Sequence, residues 1–146
     1  MTKRIFIIED DENILYGLQD RFTSDGYEVS ISTAEEDLDE LLGKIKTFKP
    51  HFLTIDLLLP KIDGMEIIKR LKGDEDLADV EVLIFTDLSD EDGKARSVGL
   101  GVNHYFLKND MDINEFADKA EEIMEGESED EVERMQEDEG DDVILD

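Results

Sequence analysis

Five short apolar runs organise the first 125 residues, and an apolar pattern at helical spacing follows each of them. Residues 3–8 (KRIFII) are apolar without alternation, which suits a strand covered on both faces. After a run of acids, Ile14, Leu15, Leu18 and Phe22 recur at intervals of three and four, predicting a helix. Asp25-Gly26 breaks that helix before a second strand at 27–32. Leu38, Leu41, Leu42 and Ile45 mark a second helix, closed by Pro50. The run 51–59 (HFLTIDLLL) is the most apolar strand candidate and holds Asp56 inside it. Pro60 ends it, and Asp63-Gly64 turns the chain into a helix carrying Met65, Ile67, Ile68 and Leu71. Strands at 80–86 and 102–107 follow, with a weakly amphipathic helix at 89–98 between them. Ile113, Phe116, Ala117, Ala120 and Ile123 mark the last helix.

Five strand–helix units predict an α/β fold: a doubly wound, five-stranded parallel sheet with helices on both faces. Sheets of this kind bind ligands outside the carboxyl ends of their strands.

Composition adds a boundary and several exclusions. Residues 126–146 carry eleven Asp or Glu against one Arg, −10 of the total −27. Such a segment cannot offset its ordering entropy. The expected organisation is one domain over residues 1–125 and an acidic, disordered tail over 126–146. Neither part has a basic stripe to neutralise phosphates, which argues against nucleic acid and against anionic membrane surfaces. No apolar run approaches the roughly 20 residues that span a bilayer. Cysteine is absent, which excludes disulfides and fits a reducing, cytoplasmic setting. His51 and His104 lack metal-ligand spacing, so both read as structural.

At the carboxyl ends of the strands stand Asp10 and Asp11, then Asp56, Thr86 and Lys108. Glu9 is left between pocket wall and surface. Two carboxylates about 4 Å apart repel by about 4 kcal/mol at an effective dielectric near 20. Three crowded carboxylates with one lysine must therefore protonate, separate or recruit a cation. A hard divalent ion such as Mg²⁺ suits oxygen ligands. A carboxylate beside such an ion can attack phosphorus, with lysine and hydroxyl stabilising the transferring group. Asp56, on the central strand, is the best-placed nucleophile.

EDD at 9–11, DLLLP at 56–60 with DG at 63–64, FT at 85–86 and YFLK at 105–108 occur in that order. By these motifs, residues 3–124 resemble the receiver domain of bacterial two-component response regulators. The resemblance implies a flavodoxin-like sheet of strand order 2-1-3-4-5. It implies Asp56 as phospho-acceptor, with Asp10, Asp11, Asp56 and the Leu58 carbonyl holding Mg²⁺. Lys108 and Thr86 would bind the phosphoryl group, and Thr86 and Tyr105 would form the switch. The implied partners are a sensor histidine kinase or phosphotransfer protein and a downstream target protein. Mg²⁺-dependent self-phosphorylation and autodephosphorylation are the implied chemistry, not turnover of a separate substrate. With some 22 residues after 124, a stand-alone regulator acting through protein contacts or a phosphorelay is expected.

Three departures from the family pattern bear on this. Asn109 stands where the family has proline, so that loop is expected to be trans or strained. Asp87 stands where a small residue is usual, and its charge repels phosphate unless it points to solvent. Leu58 and Leu59 make the segment after Asp56 unusually apolar. Asp87 and Asn109 motivate the alternative, a phosphorylation-independent interaction module. A flavodoxin-type cofactor site fits poorly, because the EDDEN loop repels a bare phosphate.

Overall fold

The computed structural model describes residues 2–89 and 91–126. The expected acidic tail therefore lies, apart from Gly126, outside the described residues. The elements alternate as β1 (Arg4–Ile8), α1 (Glu12–Ser24), β2 (Glu28–Ser32), α2 (Leu38–Phe48), β3 (Phe52–Ile55) and α3 (Gly64–Lys72). Then come β4 (Glu81–Thr86), α4 (Glu91–Gly99), β5 (His104–Leu107), a 3-10 turn (Lys108–Asp110) and α5 (Ile113–Glu125). All strand pairs are parallel, in the order β2-β1-β3-β4-β5. This is the predicted flavodoxin-like sheet.

Two compact units divide the chain, Met1–Phe116 and the segment from Ala117. The first holds the whole sheet. Strand alternation sends Phe6, Ile8, Leu53, Ile55, Val82 and Ile84 into one core, with Leu41 and Ile45 of α2 and Ile67, Ile68 and Leu71 of α3. Ile5, Ile7, Leu83 and Phe85 are equally buried and point the other way, as do Leu15, Leu18 and Phe22 of α1. On that face Phe85 stacks on Phe116 with ring centroids 4.1 Å apart. Each such side chain contributes on the order of 2 kcal/mol by leaving water. The second unit carries the rest of α5, whose Ala117, Ala120 and Met124 are buried.

Aspartates start four of the described helices, Asp112 before α5 by exchanging backbone-to-side-chain bonds with Glu115. Asp11 accepts from the N–H groups of Asn13 and Ile14, Asp37 forms a capping box with Glu40, and Asp63 accepts from Met65. Each satisfies donors that the helix itself leaves unpaired. At the opposite end of α2, Lys49 takes φ 56° and Arg4 Nε donates to the carbonyls of Phe48 and Lys49.

The sharpest difference from expectation is β3, which stops at Ile55 rather than reaching residue 59. The Asp56 carboxylate accepts the N–H of Leu58, and the Leu57 carbonyl accepts the N–H of Gly64. These bonds curl the chain away from the ladder. Leu57 folds back into the core, while Leu58 turns out and is 52% exposed. Apolar character alone does not distinguish a strand from such a turn.

Candidate functional site

The ladder places the site one residue beyond the strands. The Glu9 N–H donates to the Ser32 carbonyl and the Asp56 N–H to the Ile8 carbonyl, each at 3.1 Å. Glu9 and Asp56 thus continue β1 and β3 by one step and are held rigidly. Both are nearly sealed from solvent, at 2% and 5% exposed.

Asp56 is fully engaged. Its Oδ1 accepts from Thr86 Oγ1 at 2.7 Å and from the Leu58 N–H at 3.0 Å. Its Oδ2 accepts from Lys108 Nζ at 2.8 Å. Lys108 also reaches Glu9, 3.0 Å from Oε1. Thr86, completely buried at the end of β4, receives the Leu88 N–H on its own oxygen. The hydroxyl of Tyr105, on β5, donates to the Leu88 carbonyl. One hydrogen-bonded path therefore runs from Asp56 through Thr86 and Leu88 to Tyr105.

Carboxylate oxygens of Glu9, Asp10 and Asp56 lie within 4.8 Å of one another. Lys108 answers only one of these three charges. Burial pushes Glu9 up to about 7, an effect that neighbouring Lys108 only partly offsets. Burial alone would lower Lys108, but its hydrogen bond to Asp56 and the charge of Glu9 outweigh that and hold it high. A buried carboxylate in this state favours a proton or a second cation beside it. With oxygen donors from three acids, a hard divalent ion fits the cluster.

The predicted residues Asp10, Asp56, Thr86 and Lys108 thus converge, whereas Asp11 does not. Asp11 is exposed, and its Oδ1 is occupied 2.9 Å from the Asn13 N–H at the start of α1. Glu9 takes its place in the cluster. The acids gathered beside Asp56 are Glu9 and Asp10, one position earlier than the expected Asp10 and Asp11. The signal was available, since an aspartate immediately before the first residues of an amphipathic helix is a preferred N-cap. An Asp11→Ala variant is expected to lose about 1 kcal/mol of stability in urea unfolding while keeping its affinity for divalent ions. Loss of ion binding with unchanged stability would return Asp11 to the pocket.

Each of the three departures takes a definite place in the structure. No cis peptide occurs among the described residues, and Asn109 sits in the 3-10 turn that follows β5. Asp87 is exposed, so its charge is in solvent. Leu58 puts its N–H on Asp56 and its side chain outside. The two histidines take structural partners. His51 Nδ1 accepts the Arg4 N–H, and His104 Nε2 pairs with Glu81 at 2.9 Å.

A parallel sheet of this order, with an acidic pocket at the carboxyl ends of its strands, is the flavodoxin-like, CheY-like fold. More particularly, the chain belongs to the response regulator receiver domain family of two-component signalling, whose model matches residues 5–121. It is 32% identical over 108 residues to the alkaline phosphatase synthesis transcriptional regulatory protein PhoP of Bacillus subtilis, covering 74% of this chain and 43% of that protein. It is also 32% identical over 111 residues to the DNA-binding dual master transcriptional regulator RpaA of Synechocystis, covering 72% of this chain and 42% of that one. The chain spans less than half the length of these relatives.

Among solved structures, a CheY-like receiver domain protein from Methanospirillum hungatei matches with a TM-score of 0.75 at 22% identity, covering 89% of this chain and 99% of that one. The Mn²⁺-bound form of response regulator Rcp1 matches with a TM-score of 0.63 at 26% identity, covering 73% and 81%. No helix among the described residues is long and apolar enough to cross a membrane.

Proposed function

We propose that the chain accepts a phosphoryl group on Asp56 from a sensor histidine kinase or phosphotransfer protein. It then passes the signal on by binding a target protein or by phosphorelay. The observation that carries this reading is the setting of Asp56: buried, grasped on one oxygen by Thr86 and on the other by Lys108.

A carboxylate oxygen of Asp56 attacks phosphorus as the P–N bond of the donor phosphohistidine breaks, and the imidazole leaves with its electron pair and takes up a proton. Lys108 Nζ and Thr86 Oγ1 then hydrogen-bond the phosphoryl oxygens, replacing their present bonds to the carboxylate. Asp10, Asp56 and the Leu58 carbonyl are the proposed protein ligands of Mg²⁺, with Glu9 bound to Lys108 at the margin. When bound, Mg²⁺ neutralises charge on the transferring group.

Tyr105 already hydrogen-bonds the loop that Thr86 anchors, which supports Thr86 and Tyr105 as the switch. On this reading the domain works in the cytoplasm, through protein contacts and without touching nucleic acid itself. The relatives named as transcriptional regulators extend well beyond the matched segment.

A small phosphodonor with Mg²⁺ is expected to modify the protein once, at Asp56, and chelation is expected to prevent it. No modification under these conditions would leave the phosphorylation-independent module as the better account.

A further inference from the structure

Gly93 sits in the first turns of α4, a place where glycine costs on the order of 1 kcal/mol against alanine. It is nevertheless buried. A Cβ placed there would lie 3.0 Å from Leu88 Cδ2, 3.6 Å from Leu88 Cγ and 3.6 Å from the Tyr105 hydroxyl. These are the two residues that close the path from Asp56. Leu88 gives its N–H to Thr86 and its carbonyl to Tyr105. Gly93 is thus the point where α4 bears on that path from outside.

We propose that Gly93 is a positioning residue whose missing side chain leaves room for the Tyr105–Leu88 latch. This rests on the reading of Thr86 and Tyr105 as the switch. A side chain at 93 crowds the Leu88 Cδ2 methyl while the latch is closed, and that strain is relieved when the loop releases the Tyr105 hydroxyl. The contact is with the flexible end of Leu88, so α4 itself has no reason to unfold. Alanine is the better helix former, and the Gly93→Ala variant is expected to fold.

The latch is read by labelling the chain with 3-fluorotyrosine and following the Tyr105 ¹⁹F resonance, assigned with Tyr105→Phe. In Gly93→Ala the ratio of latched to released Tyr105 is expected to fall about three- to tenfold, the effect of one side chain forced off its rotamer. Gly99→Ala is the control, since it lies in the same helix with no atom within 4 Å of the added Cβ. It also substitutes a better helix former and is expected to leave the Tyr105 resonance in place. Adding Leu88→Ala to Gly93→Ala removes the crowding atoms and keeps the backbone carbonyl, so the latched population is expected to return.

An unmoved Tyr105 resonance in Gly93→Ala, an equal shift in Gly99→Ala, or no recovery in the double variant would each overturn the proposal. These readings need no phosphodonor. Failure of Asp56 to take up phosphate would refute the functional reading and leave the role of Gly93 separately decided.

Discussion

An Asp56→Asn variant is expected to fold and to take up no phosphoryl group from a donor that, on the proposed function, labels the parent chain. Asparagine keeps the shape of aspartate, and its amide oxygen can still accept from Thr86 and the Leu58 N–H in place of Oδ1. The amide nitrogen then faces Lys108, which loses its 2.8 Å partner but retains Glu9. Losing that charged hydrogen bond costs about 1–3 kcal/mol, and removing one of three crowded carboxylates offsets part of it. Chemistry has no such compensation, because an amide oxygen is a poor nucleophile toward phosphorus and the site offers no other buried acceptor in the same place. Glu9 is buried too, but it lacks the Thr86 hydroxyl that would receive the transferred group. Intact-protein mass with Mg²⁺ and donor is expected to show one added phosphoryl group on the parent and none on the variant. Label on Asp56→Asn would move the acceptor elsewhere, and Glu9 or Asp10 would be examined first.

The sheet was legible because its evidence is repeated: five apolar runs, each followed by helical spacing, admit few topologies. The convergence of Asp56, Thr86 and Lys108 followed from the same layout, since the ends of parallel strands are neighbours. What escaped were choices made by single hydrogen bonds. Asp11 looks like a pocket acid until its position before α1 is weighed, and there the N–H groups of Asn13 and Ile14 claim it. Glu9 stays between pocket wall and surface because nothing local shows that β1 continues by one more ladder bond to Ser32. Leu58 and Leu59 read as strand because an Asx turn on Asp56 leaves no mark in hydropathy. Leu88 carries no sequence signal, since its part in the path is played by its backbone.

A Gly64→Ala substitution is expected to destabilise the domain by at least about 2–3 kcal/mol, the range of a core overpacked against atoms that cannot yield. Gly64 opens α3 where it returns against the segment leaving β3. A Cβ there would stand 2.6 Å from Leu57 Cα, 2.8 Å from the Asp56 carbonyl oxygen and 3.0 Å from the Leu57 carbonyl oxygen. Every one of these is backbone, so no rotamer change relieves the contact. The helix must slide outward, or the 56–57 segment must move. Outward motion opens the core around Ile67, Ile68 and Leu71, all completely buried. Motion of the segment displaces Asp56 from Thr86 and Lys108, so phosphoryl uptake falls together with stability. Gly43→Ala sets the scale, because Gly43 is exposed in α2 with nothing within 4 Å of an added Cβ. There the same substitution gains helix propensity and stabilises by up to about 1 kcal/mol. Thermal unfolding is therefore expected to move in opposite directions for the two variants, with Gly64→Ala lower by on the order of 10 °C. Equal melting temperatures would mean that α3 docks more loosely than this close approach requires.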